Sequence, residues 1–313
     1  MLTAGPGARA RDDRRGAAGD DRPGQRAPAT KRCAAVWLAG LLLFGAPAPV
    51  LAETVLEKVS RTAVLTAGAR GNAIPFAFIN EKNEWIGFSI DLLEAVRARL
   101  EKKLAKRIKL EKKEVTPETR IQLVVNRTID VECGVTTYTR ARDEAVDFSI
   151  NFFFTGAQLL VKRGSGIKSL ADLAGKRVGA IRETTGLAAL RAAQPKANVV
   201  TFQDQPAAFL ALEQGRIVAY AHDGILMAGL VARARNPRDY EVVGDFFSKD
   251  PFSCMIPEND SKWRDFVNHT FMELIDSGKF FELYDKWFGE RGVVPYPMSD
   301  RVRNYMNMQS MPE

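Results

Sequence analysis

The chain has 313 residues, of which 46% are apolar, and its formal net charge is +7. This length and apolar content are sufficient for substantial buried cores and favour two domains of roughly 100 to 200 residues each. Of the 45 basic and 38 acidic residues, eight basic and four acidic residues lie in the first 52 positions, which leaves 37 and 34 in the rest of the chain. The positive charge is therefore concentrated near the N-terminus and does not indicate a nucleic-acid partner.

The first 52 residues have the pattern of an export signal. Lys31 and Arg32 precede an apolar run at 34–44, and prolines and small residues ending at Ala52 follow it. The run is shorter than the ~20 residues that a membrane span needs. We therefore predict residues 1–52 to be a signal peptide with a long N-terminal region, cleaved after Ala52. An uncleaved signal anchor is the alternative.

After the leader, strand-like and helix-like segments alternate. The first group predicts strands at 64–67, 76–79, 108–115 and 128–133, with helices at 92–104 and 120–126. After the aromatic residues 152–154 the alternation restarts, with a short helix at 170–173, strands at 177–181, 199–200 and 216–220, and helices opened by Thr184 and Asp204. Such β/α alternation indicates a largely parallel sheet, whose ligand crevices lie at the carboxyl ends of the strands.

The strand at 216–220 delivers His222 and Asp223 to such an end. If the strand is regular, His222 points away from Asp223, because successive side chains alternate across a sheet. The chain then returns to Cys254, and two amphipathic helices follow, the first capped by Ser261 and stopped by Gly278.

The cysteines limit the topology. Once Cys33 is removed with the leader, Cys133 and Cys254 remain, and an exported chain with one such pair can form one disulfide. A bridge between residues this far apart requires the chain to leave one structural unit and return to it. Two inert buried thiols are the alternative.

The pattern and the cysteine spacing agree on one organisation of the mature chain. It is an α/β fold in which 53–152 and 246–290 form lobe 1 and 153–245 form lobe 2, with two strand crossings as a hinge. Residues 291–313 follow as a C-terminal extension.

Several segments resemble the polar amino-acid solute-binding proteins of bacterial ABC importers. They are GFSIDL at 87–92, SLADLAGKRVG at 169–179, LEQGR at 212–216 and DKWF at 285–288. The segment ECGVTT at 132–137, together with Cys254, is similar to the glutamate/aspartate-binding branch.

The resemblance spans about 54–289. It implies a two-lobed periplasmic binding protein of type II, exported to the periplasm, that captures glutamate or aspartate. It also implies a monomer that delivers its ligand to the membrane permease of an ABC transporter.

A zwitterionic amino acid requires donors for its carboxylate and an acid for its ammonium group. Arg142, just beyond a predicted strand end, is suited to bind a carboxylate bidentately, with Thr137 as a further donor. From lobe 2, Asp223 can meet the ammonium group, and Thr184 and Thr185 place hydroxyl and N–H groups at a helix N-terminus, where anions are favoured. The resemblance implies the same roles at these positions.

The side-chain pocket decides the ligand. Arg70 and Arg120 match positions where the acidic-amino-acid branch directs arginines at the second carboxylate of the ligand. Because two buried guanidinium groups without a carboxylate partner are costly, their joint presence favours a dicarboxylic ligand. The branch has serines at the positions of Pro117 and Val135 and a histidine at the position of Gln205. With these donors missing, the choice between glutamate and aspartate stays open, and glutamine is an alternative ligand.

Each site residue also has a purely structural alternative. Arg142 can pair with an acidic neighbour on a solvated helix, Asp223 can be a turn residue, and Thr184 can simply cap its helix. Arg70 and Arg120 can be surface arginines.

The competing class is an enzyme, because the same fold also hosts periplasmic dehydratases that act on prephenate-like acids. Such chemistry needs a general acid facing the leaving group, for which Glu183 is the candidate. The sequence has no Cys/His nucleophile pair, no metal-ligand spacing and no phosphate-binding glycine loop. We therefore expect a binding protein without catalytic residues, cofactor or metal.

Overall fold

The structure is a computed structural model that describes residues 53–310. The predicted signal peptide at 1–52, including Cys33, and residues 311–313 of the predicted extension lie outside the described residues.

Helices and short strands alternate along the described chain. Residues 53–155 contain, in order, α1 (Val55–Thr62), β1 (Val64–Ala69), β2 (Asn72–Ala73), β3 (Ala77–Ile79), β4 (Trp85–Ile86), α2 (Phe88–Leu104), β5 (Lys109–Glu114), α3 (Arg120–Val125), β6 (Val131–Glu132), α4 (Arg140–Asp143), β7 (Val146–Phe148) and β8 (Phe153–Thr155). Residues 157–310 contain β9 (Ala157–Lys162), β10 (Arg177–Ile181), α5 (Thr185–Ala193), β11 (Asn198–Phe202), α6 (Gln205–Glu213), β12 (Ala219–Asp223), α7 (Gly224–Ala232), β13 (Tyr240–Val243), β14 (Asp250–Phe252), β15 (Met255–Pro257), α8 (Ser261–Asp276), α9 (Lys279–Phe288) and α10 (Asp300–Asn307). Short 3₁₀ helices lie at Leu170–Leu173 and Pro237–Asp239.

Lobe 1 is built on a five-stranded sheet of order β5-β1-β6-β15-β7. Strand β1 runs parallel to β5 and β6, whereas β15, which comes from the far end of the chain, pairs antiparallel with β6 and β7. Its helices bury large aromatic side chains in the lobe 1 core, among them Phe88 of α2, Trp263 of α8 and Phe280 of α9. The lobe is therefore completed only when the chain returns to it.

Lobe 2 is built on a second five-stranded sheet, of order β11-β10-β12-β9-β13. Of its four pairings, those of β10 with β11 and β12 are parallel, and those of β9 with β12 and β13 are antiparallel. The glycine at 179 lies on β10, where a Cβ atom would collide with the Ile217 side chain. The predicted fold class, an α/β chain with two lobes, is confirmed.

Strands β8 and β14 cross between the two sheets and pair with each other. Phe153 lies opposite Phe252, and Thr155 lies opposite Asp250, in antiparallel register. The rings of Phe153 and Phe252 both pack on Phe76, with centroids 4.8 and 5.5 Å away. The predicted hinge of two crossing strands thus rests on an aromatic cluster that belongs to lobe 1.

The predicted disulfide between Cys133 and Cys254 is present, with Cα atoms 4.1 Å apart. Cys133 directly follows β6, and Cys254 lies between β14 and β15. Both residues are buried in lobe 1. The bridge therefore joins the strand end beside the hinge to the strand that returns from lobe 2.

The segment after α9 packs against the hinge. The Gln309 side chain makes two hydrogen bonds with the backbone of Asn151, at 3.1 and 2.9 Å. The ring of Tyr305, on α10, meets Phe154 edge to face with centroids 5.0 Å apart. Met306, also on α10, is buried.

Several predicted boundaries differ from the structure, three of them in ways that matter for the fold. The strand predicted at 216–220 lies instead at Ala219–Asp223, because the chain first closes α6 through Gly215, whose φ is 68°, and a bond from the Arg216 N–H to the Ala211 carbonyl. The strand predicted at 128–133 shortens to Val131–Glu132. Helix α8 is capped by Asp260 rather than Ser261, since an Asp260 carboxylate oxygen accepts from the Trp263 N–H at 3.2 Å.

The disulfide generates the first prediction. Replacing both Cys133 and Cys254 with alanine removes a bridge that spans 121 residues of sequence. Because the unfolded chain then regains loop entropy, we expect the free energy of unfolding to fall by roughly 2 to 5 kcal/mol. Urea denaturation of the mature chain, with the reduced wild-type protein as a control, measures the change. An unchanged denaturation midpoint after complete reduction would contradict the prediction.

Candidate ligand-binding site

Polar side chains from both lobes gather where the parallel strands end. Arg70 follows β1, Arg120 begins α3, and the segment 133–137 follows β6, all in lobe 1. Asp223 ends β12 in lobe 2. This is the location that a parallel sheet favours for a ligand.

Two arginines of lobe 1 are buried almost completely. Arg70 and Arg120 are each 3% exposed, so they are not surface arginines. Arg120 donates from Nη1 to the Val135 carbonyl at 3.2 Å and to the Thr136 hydroxyl at 2.6 Å. Arg70 donates to the Asn72 side chain at 3.2 Å. Burial, together with the charge of Arg120, lowers the pKa of Arg70 to about 10.

Arg142 lies on the short helix α4 and reaches both lobes. Its Nη1 atom donates to the Thr137 carbonyl at 2.8 Å, and Nη2 donates to the Glu183 carbonyl of lobe 2 at 3.3 Å. Burial and the charge of Arg120 lower the pKa of Arg142 to about 10. The guanidinium group is therefore directed toward the cleft, and no ion pair with Asp143 forms.

The two lobes also meet through threonine hydroxyls. Thr137 donates to an Asp250 carboxylate oxygen at 2.9 Å, and its hydroxyl lies 3.3 Å from that of Thr185. Thr184 caps α5, accepting from the Leu187 N–H at 3.2 Å. Burial is the main effect that raises the pKa of Asp250, and the negative charge of Asp223 raises it further.

Lobe 2 contributes Asp223, which is 4% exposed and whose Oδ1 atom has no hydrogen-bond partner. The expectation that His222 points away from it is wrong, because His222 Nδ1 lies 3.0 Å from Asp223 Oδ2. The N–H of Asp223 donates to the same ring nitrogen at 2.8 Å, and this local bond draws the imidazole toward the carboxylate. Because Nδ1 accepts this bond, it does not donate a hydrogen bond to the Asp223 carboxylate.

Gln205, the first residue of α6, is fully buried, and neither its Nε2 nor its Oε1 atom has a hydrogen-bond partner. The buried hydroxyl of Tyr220 likewise has no hydrogen-bond partner. Val135 contributes its carbonyl to Arg120, while its side chain belongs to the lobe 1 core. Position 135 therefore supplies no side-chain donor.

Sequence reasoning missed four polar residues in this region. Glu132, Thr136 and Asp250 are buried beside the three arginines at positions 70, 120 and 142, and Tyr220 is fully buried with a hydroxyl that has no hydrogen-bond partner. The available signal was the carboxylate of Glu132 inside a predicted strand, since a buried carboxylate is rare unless it has a specific partner.

Unpartnered polar atoms concentrate here. Within residues 53–310, eight buried side-chain N or O atoms have no hydrogen-bond partner. All but one, the Thr155 hydroxyl in the hinge, belong to the residues Arg120, Glu132, Gln205, Tyr220, His222 and Asp223. Because buried polar groups are nearly always hydrogen-bonded, this cluster has the chemistry of a site for a polar, charged ligand.

Two further contacts join the lobes at the rim of this site. Arg182 Nε lies 2.7 Å from Glu118 Oε1 in an ion pair between lobe 2 and lobe 1. The guanidinium group of Arg233 lies over the Phe78 ring, 4.7 Å from its centroid. The lobes therefore face each other closely around the arginine cluster.

Residues 53–310 contain neither a membrane-spanning helix nor a metal-binding cluster of side chains. None of the helices there is both long enough and apolar enough to cross a membrane. Nor do these residues form any group of three or more His, Cys, Asp or Glu side chains that could hold a metal ion.

The fold and the site together define a two-lobed α/β binding protein of type II. Residues 65–290 match the family described as bacterial extracellular solute-binding proteins, family 3, and the chain belongs to this family.

Known proteins that resemble the chain are binding proteins. It is 35% identical to the L-glutamate/L-aspartate-binding protein of Pseudomonas aeruginosa, over 82% of this chain and 89% of the relative. It is 32% identical to the glutamate/aspartate import solute-binding protein of Escherichia coli K12, over 84% of this chain and 88% of the relative. A solved structure of an ancestral arginine-binding protein bound to glutamine aligns with a TM-score of 0.67 and 31% identity, over 73% of this chain and 99% of that one. These relatives are named for binding and import, so the protein is a binding protein rather than an enzyme.

The buried arginines generate the second prediction. The lowered pKa of Arg70 means that its positive charge destabilises the folded state below pH 10, and the penalty is lost only as the pH rises through that value. We expect Arg70→Met to raise the free energy of unfolding of the ligand-free protein by about 1 to 3 kcal/mol at neutral pH. Urea denaturation of refolded protein measures it, with the exposed Arg216→Met as the matched control. A loss of stability in Arg70→Met alone would show that the Arg70 charge stabilises the fold.

Proposed function

We propose that this protein captures glutamate or aspartate between its two lobes and delivers it to the membrane permease of an ABC importer. The observation that carries the proposal is the placement of three arginines at the strand ends of lobe 1 opposite a buried aspartate of lobe 2. Family membership supports solute capture, and the names of the Pseudomonas and Escherichia relatives support an acidic amino acid.

The α-carboxylate of the ligand is assigned to Arg142. Its guanidinium group lies between the Thr137 and Glu183 carbonyls, which orient it. The hydroxyls of Thr137 and Thr185, 3.3 Å apart, offer further donors from the two lobes. The N-terminal end of α5, capped by Thr184, favours a negative charge at this point.

The α-ammonium group is assigned to Asp223. Its Oδ1 atom is buried without a partner, and an ammonium donor is the group that satisfies such an oxygen. Its other oxygen lies 3.0 Å from His222 Nδ1. Because Arg142 belongs to lobe 1 and Asp223 to lobe 2, an α-amino acid bridges the lobes and favours closure.

The side chain of the ligand is assigned to Arg70 and Arg120. Both are buried, and Nε of Arg120 has no partner, so a second carboxylate supplies an acceptor that the protein leaves open. Gln205 lies on the lobe 2 side with a free amide, which can donate to a carboxylate or accept from an amide.

Glutamine is the second candidate ligand. The specific observation in its favour is Gln205, whose buried amide presents both a donor and an acceptor, together with Val135, which supplies no hydroxyl. The ancestral relative whose structure holds glutamine is consistent with this alternative. The two arginines weigh against it, because a neutral amide leaves their charges uncompensated.

We further propose that the protein is exported with a cleavable signal peptide at 1–52 and acts as a periplasmic monomer. We propose lobe boundaries at 53–152 with 246–290 and at 153–245, with 291–313 as an extension. The position of the disulfide within lobe 1 supports export into an oxidising compartment.

The third prediction tests the clamp for the α-groups. Arg142→Ala and Asp223→Ala should each weaken binding of every α-amino acid tested by about 2 to 5 kcal/mol, since each leaves a buried charge of the ligand unpaired. Calorimetric titration of refolded protein measures the loss. Arg140→Ala and Asp245→Ala, at exposed positions, are the matched controls and should bind normally. Normal binding by either clamp variant would remove that residue from the site.

The fourth prediction tests selectivity. The wild-type protein should bind glutamate or aspartate more tightly than glutamine or asparagine, because guanidinium groups pair with a carboxylate in a way that an amide cannot reproduce. Arg70→Met and Arg120→Met should each narrow this preference in the same titration. Tighter binding of glutamine, or of a cationic or apolar amino acid, than of both acids would refute the assignment and leave the clamp intact.

A further inference from the structure

The carboxyl group of Glu132 lies inside the arginine cluster and has no role in the site described so far. Glu132 ends β6, is completely buried, and precedes the bridged Cys133. Its Oε2 atom accepts from the Thr136 hydroxyl at 2.7 Å, and that hydroxyl accepts from Arg120 Nη1 at 2.6 Å. Its Oε1 atom has no hydrogen-bond partner.

The backbone is shaped to hold this carboxyl group. A Cβ atom at Gly134 would overlap Glu132 Oε1, so only glycine leaves room for the side chain to fold back over the segment after β6. The position of the carboxyl group therefore depends on Gly134 as well as on Thr136.

Three arginines lie within electrostatic range of Glu132: Arg120 of α3, Arg70 at the end of β1, and Arg142 of α4. Burial raises the pKa of Glu132, and these positive charges oppose the rise. The strand on its other side, β15, presents the apolar Met255 opposite Glu132. The guanidinium groups that are assigned to the ligand therefore also favour the ionised form of Glu132, against the effect of burial.

An acidic ligand changes this balance. When a second carboxylate pairs with Arg70 and Arg120, it shares the charges that had favoured the ionised Glu132 and adds a like charge to a cluster with little water. Two carboxylates in one desolvated site rarely both stay ionised, and one of them takes up a proton. Oε1 of Glu132 is the atom free to receive it, because Oε2 already accepts from Thr136.

We propose that Glu132 is a specificity-determining residue that takes up one proton from solvent when a ligand with an acidic side chain binds. This inference rests on the proposed function. The proton forms an O–H bond at Oε1 and no other bond changes. Once Glu132 is protonated, both positive charges of Arg70 and Arg120 are available to the acidic ligand. When glutamine binds, Glu132 stays ionised and compensates one of these two charges.

The sign of the pH dependence follows. Because the complex with glutamate holds one proton more than the free protein, affinity for glutamate rises as pH falls, by up to about tenfold per pH unit. This dependence spans the range between the pKa values of Glu132 in the free and bound protein. Affinity for glutamine lacks this dependence, so selectivity for the acid increases toward acidic pH.

Asp250 is the competing proton acceptor, since it is buried and lies near Asp223 and Thr137. It faces the α-groups, which glutamate and glutamine share. A proton taken up at Asp250 would therefore accompany both ligands, and the difference between the two ligands isolates Glu132.

The experiment is calorimetric titration of the refolded mature protein with glutamate, aspartate and glutamine, in buffers of different ionisation enthalpy between pH 6 and pH 8. The expected result is that binding of glutamate takes up more protons than binding of glutamine, by up to one proton per protein. In Glu132→Gln, which mimics the protonated carboxyl group, the difference in proton uptake between the two ligands should vanish, and glutamate should bind at pH 8 at least as tightly as in wild type. Asp250→Asn and the exposed Glu258→Gln should retain the difference between ligands.

Equal proton uptake with glutamate and glutamine in the wild-type protein would overturn the inference without any variant. Persistence of the difference in Glu132→Gln would also overturn it. If neither glutamate nor aspartate binds, the proposed function fails and this inference fails with it. If an acid binds without the difference in proton uptake, only this inference fails.

Discussion

The burial of positive charge at the strand ends of lobe 1 is the constraint on which the rest of the site depends. Arg70 and Arg120 are almost completely buried, and each lowers the stability of the other's charged form. Isolated buried charges are expensive, so the surrounding chain must supply compensation. Glu132 and the Thr136 hydroxyl supply part of it within lobe 1. Asp223 supplies another part from across the cleft, since its charge favours the ionised Arg120. The positive charge that remains uncompensated can be neutralised by an anionic ligand.

This arrangement needs two lobes that are connected but complete in themselves. Lobe 1 gains its fourth strand, β15, only after the chain has passed through lobe 2. The disulfide fixes that return to the end of β6, next to the residues that carry the arginine contacts. The aromatic residues of β8 and β14 pack on Phe76, so the crossing strands are anchored on the lobe 1 side. Movement of lobe 2 would break the bond from Arg142 to Glu183, but the hydrogen bonds of Arg70 and Arg120 lie within lobe 1.

The sequence predicted the large-scale organisation because that depends on periodicity and on one pair of cysteines. The alternation of segments, the return to Cys254 and the disulfide follow from such signals. Burial of Arg70 and Arg120 was expected only through the resemblance. Features that depend on side-chain direction were not accessible. The bond from the Asp223 N–H to His222 overrides strand alternation, and Gly215 delays β12 by three residues relative to the prediction. Glu132 and Asp250 were missed because spacing alone does not show which acids are buried beside the arginines.

The division of the site between common and variable groups has a consequence for ligand choice. The residues assigned to the α-groups, Arg142 and Asp223, belong to different lobes. Two backbone carbonyls hold the Arg142 guanidinium group, so it is oriented independently of the ligand side chain. The residues assigned to the side chain are instead coupled to one another, since Arg120, Thr136 and Glu132 form one hydrogen-bonded chain. A substitution in that chain changes the charge of the pocket without removing the clamp. Selectivity in this fold can therefore change while closure around an α-amino acid is retained.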